Sequence, residues 1–225
     1  MPLCASSVRR NTSKPEAPCG ELDTASPISL KRRLLIWLIF SLVAGLGCAC
    51  DLVTKWLVFE WLGGPGERPV FWLWQDRIGF QTTLNEGALF GMGQGLTFLF
   101  VIASFIAVIA ILVWVFFQNA GNDLWLAWAA GAICGGILGN LYDRLGLPGL
   151  RWEEGWIGFS AHRVGEPVYA VRDFILVMIG RWPWPTFNIA DSLLVVGVTL
   201  LVIRAIFCPT PEAESEPSST IAQPD

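Results

Sequence analysis

LTFLFVIASFIAVIAILVWVFF, residues 96–117, runs for 22 residues without a charge. At 1.5 Å per residue, a helix of that length reaches about 33 Å, enough to cross the ~30 Å hydrocarbon core of a bilayer. Two further charge-free runs flank it at similar length: LLIWLIFSLVAGLGCAC at 34–50 and LWLAWAAGAICGGILGNLY at 124–142. A fourth, FNIADSLLVVGVTLLVIRAIF at 187–207, has polar groups at one end and Arg204 at the other, where a long side chain can snorkel to the interface. Composition agrees, with 53% hydrophobic and 15% charged residues against roughly 25% charged in a soluble domain. The chain reads as a membrane protein with four helical spans.

An even number of spans puts both termini on one side, and Lys31, Arg32 and Arg33, just ahead of the first span, assign that side to the cytoplasm. Trp56, Trp61, Trp72 and Trp74 after the first span, and Trp182 and Trp184 before the fourth, stand where an aromatic belt is expected. A cleaved signal peptide is the alternative for the first span. Its apolar run is longer than a usual h-region and follows a long polar tail, so an uncleaved helix is expected. Residues 1–30 and 209–225, rich in Pro, Ser, Thr and Glu, are expected to be disordered cytoplasmic tails around a membrane domain at 31–208.

Several chemistries are excluded early. The net charge of −4 and the lack of a basic stripe speak against nucleic acid as a partner. Cys48, Cys50, Cys134 and Cys208 lie in or at the ends of apolar spans, and Cys4 and Cys19 fall in the cytoplasmic tail. None has zinc-site spacing, so packing roles are expected, with no metal and no cofactor. His162 is the only histidine. Ser160 precedes it by two residues in GFSAH, but that Gly-flanked loop is no nucleophile elbow. Asp, Glu, Asn, Arg and Lys remain.

Those residues gather in five clusters, all on one side of the membrane in the four-span layout. The first, DLVTKW, carries Asp51 and Lys55 one helical turn apart as the chain leaves the first span, a spacing that suits an ion pair. The second is NEGALFG, from Asn85 to Gly91, where Gly87 permits tight backbone geometry beside Asn85. The third is GNLYDR, with Asn140, Asp143 and Arg144, the last two read as an ion pair. VRDFILVMIG holds Asp173, and FNIADS holds Asn188 and Asp191. A carboxylate in a membrane span is costly, roughly 2.5–3.5 kcal/mol at the centre on the insertion scale, so such groups are usually functional. The bland alternatives are that Asp191 only caps its helix and that Asp173 pairs with Arg172.

In order and wording these clusters resemble the lipoprotein signal peptidases, the type II signal peptidases of bacteria, over about residues 34–207. The resemblance implies four transmembrane helices with a small extracytoplasmic β-rich platform. Its activity is that of an aspartic endopeptidase removing signal peptides from prolipoproteins before a diacylglyceryl-modified cysteine. Asp173 and Asp191 match the family's catalytic pair, and Asp51, Lys55, Asn85, Gly87, Asn140, Arg144 and Asn188 match substrate-binding or supporting positions. Prolipoproteins and membrane lipids are the implied partners, a monomer is expected, and the site would lie near the extracytoplasmic face of the inner membrane.

Physical chemistry accommodates this. Two close carboxylates cannot both ionise cheaply, so one keeps a proton and can serve as acid while the other serves as base. RPVFWLWQDRIGFQTTL, at 68–84, has the β-branched and aromatic character of short strands at an interface. One stretch departs from the family: residues 147–170 look like an insertion, in which Trp152, Trp156 and Phe159 are expected on the membrane surface as a lid or an inert loop. The rival function is a small transporter or ion pathway using Asp51, Asp173, Asp191 and Arg144. Gathering at one rim and the lack of an internal repeat count against it.

Overall fold

The computed structural model describes residues 30–87, 96–117, 123–158 and 162–207. The expected tails lie outside these, apart from Leu30. Four helices are long and apolar enough to cross a membrane: α1 (Leu30–Leu62), α2 (Thr97–Phe117), α3 (Leu124–Arg144) and α4 (Ile189–Phe207). Between them run four strands, β1 (Phe71–Trp74), β2 (Ile78–Asn85), β3 (Val171–Ile179) and β4 (Trp182–Pro183), forming one antiparallel sheet in the order β1-β2-β3-β4. The expected platform is therefore a small open sheet, built partly from the 68–84 stretch.

Helix α3 is the centre of the bundle and packs against α1, α2 and α4. Its small residues allow this. A Cβ on Gly136 would stand 2.5 Å from the Ala190 carbonyl oxygen, and one on Gly139 would stand 2.5 Å from Asp51 Oδ2. Between lipid-bathed helices the hydrophobic effect gives no net attraction, so close backbone approach and polar contacts hold the bundle together.

Helix α1 corrects the expected end of the first span. It continues for twelve residues beyond the apolar run 34–50, so Asp51 and Lys55 lie inside the helix. Both side chains are fully buried. Lys55 Nζ lies 2.7 Å from Asp51 Oδ2 and 3.0 Å from Asp143 Oδ2 of α3, and donates to Asn140 Oδ1 at 3.0 Å. The other Asp51 oxygen accepts the Ala190 N–H at 2.8 Å, anchoring the start of α4. Beyond this point α1 leaves the bundle, and Val58, Phe59 and Leu62 pack with Phe174 against the sheet.

Asp143 does not pair with Arg144. Arg172 Nη2 lies 2.8 Å from Asp143 Oδ1, Arg172 Nε donates to the same oxygen at 2.9 Å, and the Arg172 amide donates to Oδ2 at 3.1 Å. Successive helix residues do not face each other, and successive strand residues point to opposite faces. Asp143 therefore turns away from Arg144, and Arg172 turns away from Asp173.

The 147–170 segment also differs from expectation. Arg151 bridges Pro167, and Trp152 exchanges backbone hydrogen bonds with Glu166 and Gly165, both 2.9 Å. Trp152 and Trp156 are buried, at 3% and 7% exposure, with Val168 and Ala170 in a small core of their own. The Trp156 ring lies over Gly64, its Nε1 donates to Glu67 Oε1 at 2.6 Å, and the Ile157 amide donates to the Pro65 carbonyl at 2.9 Å. Gly64 offers the ring a surface without a side chain, and Glu67 satisfies the indole N–H, so the ring is buried inside the protein. Phe159 lies outside the described residues.

Lys55 is the ammonium on which the buried Asp51 and Asp143 converge. Replacing it by Met is expected to destabilise the protein by about 3–5 kcal/mol, the range for breaking a buried charge pair from one side. Thermal unfolding in detergent checks this, and an unchanged melting temperature would contradict it.

Candidate active site

The start of α4 sets one half of the site. Asn188 is its N-cap: Asn188 Oδ1 accepts the Asp191 N–H at 2.9 Å, and Asp191 Oδ2 accepts the Asn188 N–H at 3.2 Å. This reciprocal capping box satisfies two amides that a helix start leaves open. The cap residue is thus Asn188 and not Asp191, which returns the contact from the first turn with only one carboxylate oxygen. The other accepts Asn140 Nδ2 at 2.8 Å.

The other half comes from the sheet. Asp173 on β3 stands opposite Thr83 of β2 and is 2% exposed. Asn188 Nδ2 donates to its Oδ1 at 2.6 Å, and Asn85 Nδ2, from the end of β2, donates to its Oδ2 at 3.2 Å. Burial, and then the Asp191 charge, push its pKa up to about 8, against the opposing pull of the Asn188 hydrogen bond, Lys55 and the Asn85 hydrogen bond. Asp173 is therefore biased toward its protonated form at neutral pH, whereas Asp191 stands at a helix start and accepts two N–H donors. Two carboxyl groups with environments that differ in this sense are suited to acid and base roles.

Two asparagines join the carboxyls. Asn188 Nδ2 also lies 3.1 Å from Asn140 Oδ1, the oxygen that accepts Lys55 Nζ. Asp173, Asn188, Asn140 and Asp191 are thereby linked into one network tied to the buried ammonium.

On the side away from Lys55, Asn85 Oδ1 accepts the Gly87 N–H at 3.0 Å, and the Gly87 carbonyl accepts Arg144 Nη2 at 3.0 Å. The Arg144 guanidinium lies over Phe100, 5.2 Å from the ring centre, and its buried Nε has no hydrogen-bond partner among the described residues. A cavity of about 790 Å³ opens beside it, walled by Phe98, Val101, Arg144, Trp152, His162 and Tyr169. Neither aspartate lines it, but Arg144 and Glu86 do, so it adjoins the carboxyl pair.

All nine residues singled out in the sequence fall in this region. Asp51 and Lys55 support it from below, Asn140 and Asn188 link the carboxyls, and Asn85, Gly87 and Arg144 form the cavity side. The remainder of NEGALFG, residues 88–91, lies outside the described residues, as does Ser160. The sequence reading missed the Asp143–Arg172 pairing, the Thr83–Thr186 hydroxyl contact of 2.5 Å behind the strand pair, and the place of His162 and Glu86 on the cavity wall. An alternating face drawn for β3 would have separated Arg172 from Asp173. Nothing in the local sequence marks Glu86 and His162 as neighbours.

Comparison with known proteins agrees with this geometry. A lipoprotein signal peptidase of Rhodopirellula baltica is 39% identical over 197 residues, covering 84% of this chain and 82% of that protein. A lipoprotein signal peptidase of Bacillus subtilis is 31% identical over 170 residues, covering 75% of this chain and 94% of that protein. A bacterial membrane enzyme solved by the in meso method at 2.3 Å resolution superposes with a TM-score of 0.59 at 25% identity, covering 84% of this chain and 96% of the solved one. A second such structure, at 1.9 Å, gives a TM-score of 0.57 at 27% identity, covering 81% and 96% respectively. Residues 43–207, which hold every polar cluster just described, match the family described as signal peptidase (SPase) II, and the chain belongs to that family.

Proposed function

We propose that Asp173 and Asp191 are the catalytic pair of a membrane aspartic endopeptidase that removes signal peptides from bacterial prolipoproteins. The bond cut is the one before the diacylglyceryl-modified cysteine. The observation that supports the residue assignment is their common partner Asn188, whose side-chain Nδ2 donates to Asp173 and whose backbone N–H donates to Asp191. Asp191 takes a proton from a water molecule as the water oxygen attacks the scissile carbonyl carbon, and Asp173 donates its proton to the carbonyl oxygen. On collapse of the tetrahedral gem-diol the C–N bond breaks, Asp191 gives the proton it took from water to the leaving amine nitrogen, and Asp173 takes back a proton from a gem-diol hydroxyl, with no covalent intermediate. Arg144, with an unengaged N–H beside the cavity, is suited to hold a substrate carbonyl.

The diacylglyceryl chains are placed against the apolar wall of the cavity formed by Phe98, Val101 and Tyr169. The protein is read as acting alone in the inner membrane. Lys31, Arg32 and Arg33 at the start of α1 support cytoplasmic termini, which puts the sheet and the carboxyl pair at the extracytoplasmic face. The transport alternative loses its footing, because residues 43–207 match a family of signal peptidases.

Asp173→Asn and Asp191→Asn are each expected to lower kcat on a diacylated prolipoprotein by at least about 100-fold, the lower end of general acid–base contributions. Asp173→Asn should stay folded with a modestly lower melting temperature, because its amide nitrogen must face one of the two N–H donors that the Asp173 oxygens accept. Near-normal cleavage by either variant would refute the pair.

The rate should also fall as pH rises through about 8, where Asp173 loses its proton, with the apparent value belonging to the coupled pair. A pH profile of kcat/KM that stays flat to pH 9.5 or so would contradict this assignment of the acid. A precursor lacking the diacylglyceryl group should be cut more slowly, and equal kcat/KM for the two precursors would remove the lipid from the recognition.

A further inference from the structure

We infer that His162, carried by the 147–170 insertion, is a positioning residue for the reaction: it clamps Glu86 and thereby fixes the Asn85–Gly87 turn that hydrogen-bonds Asp173. This rests on the reading of Asp173 as a member of the catalytic pair. His162 Nε2 lies 2.7 Å from Glu86 Oε1, and Nδ1 lies 3.7 Å from Glu166 Oε2. The imidazole stacks on Trp152 with ring centres 4.0 Å apart and an interplanar angle of 7°. Trp152 is itself buried, edge-on to Trp156, and Trp156 is bolted to the platform through Glu67. The ring that holds Glu86 is thus referenced to the rigid sheet end.

Glu86 sits between two residues that matter to the carboxyl pair. Asn85 on one side donates to Asp173 Oδ2, and Gly87 on the other donates to Asn85 Oδ1 and accepts from Arg144. The Asn85–Gly87 contact is an Asx-type turn, a local hydrogen bond that does not fix the turn relative to the rest of the protein. Thr97 reaches the Glu86 carbonyl only at 3.4 Å. Among the described residues, His162 is the closest polar side chain to the Glu86 carboxylate, with Glu166 and Arg144 as the other charged groups on the same cavity wall. The Asn85 backbone is held as the last residue of β2, opposite Val171, so displacement of Glu86 acts on the Asn85 side chain through the Gly87 N–H that its Oδ1 accepts. The insertion is therefore neither an inert loop nor only a cover, but an external brace for the cavity side of the site.

The test uses the full-length protein in detergent with a diacylated prolipoprotein. His162→Phe keeps a ring on Trp152 and removes the N–H, whereas His162→Gln restores an N–H near the imidazole Nε2 position. His162→Phe and Glu86→Ala are each expected to lower kcat about ten-fold with KM within about two-fold, less than the ~100-fold of a 1 Å misplacement. Their combination should be no worse than either alone, because both break one link.

The alkaline limb of the pH profile should move upward in both, since the Asn85 hydrogen bond favours ionised Asp173 against the nearby Asp191 charge and alongside Lys55. His162→Gln should recover both rate and limb, and Arg163→Ala, an exposed neighbour, should match wild type. Wild-type kinetics in His162→Phe would overturn the inference. So would additive losses in the double variant, or a lower kcat with an unmoved limb. If Asp173→Asn is inactive and wild type active while His162→Phe is unaffected, only the brace fails; if wild type cleaves no prolipoprotein, the functional reading fails as well.

Discussion

One buried ammonium organises the structure. Lys55 lies among Asp51, Asp143 and the Asn140 carbonyl, each within 3.0 Å, and its partners reach every element of the site. Asp51 holds the Ala190 amide at the start of α4, Asp143 holds Arg172 on β3, and Asn140 holds Asp191. Ions of either sign alone at this depth would be driven to neutralise. Together they set the relative positions of α1, α3, α4 and the sheet. The polar groups that fix the helices are thus continuous with those that tune the carboxyl pair, and stability and chemistry share one network.

The network also explains why two aspartates of similar sequence context behave differently. Asp191 is placed by the first turn of α4, with a helix N-terminus and two N–H donors directed at it. Asp173 is placed by a strand in a nearly dry setting, where burial outweighs its two amide donors. The difference arises from secondary structure, since one carboxyl enters from a helix start and the other from a sheet interior. A single asparagine at the junction, Asn188, keeps them in contact.

Much of this was legible in the sequence, and the reasons differ by element. The spans follow from apolar length, and the runs at 96–117 and 124–142 agree with α2 and α3 to within two residues. The first span was drawn too short because a charge was taken as its end, whereas Asp51 and Lys55 neutralise each other inside the helix. The polar clusters were found because ionised groups stand out in an apolar chain. The expected pairing of the sequence neighbours Asp143 and Arg144 is not found, and the bland alternative of an Arg172–Asp173 pair fails for the same reason, because Arg172 turns to Asp143. The buried tryptophans of the insertion were assigned to the membrane because aromatic residues near spans suit an interface, and only the Gly64 surface and the Glu67 acceptor redirect them. The His162–Glu86 contact joins segments 76 residues apart in the sequence, with no pattern to announce it.

The two linking asparagines leave the site with unequal compliance. Asn188 has its backbone N–H, its side-chain oxygen and its side-chain nitrogen all engaged, and Asn140 likewise uses both ends of its amide. Neither can follow a moving substrate without breaking contacts to a carboxyl. On the opposite flank Arg144 keeps an unused donor and leans on a phenyl ring, and a short turn carries Asn85. Accommodation of varied peptide sequences then falls to this second flank, so a change in substrate range would be expected to arise there while the bond-breaking half stays as it is.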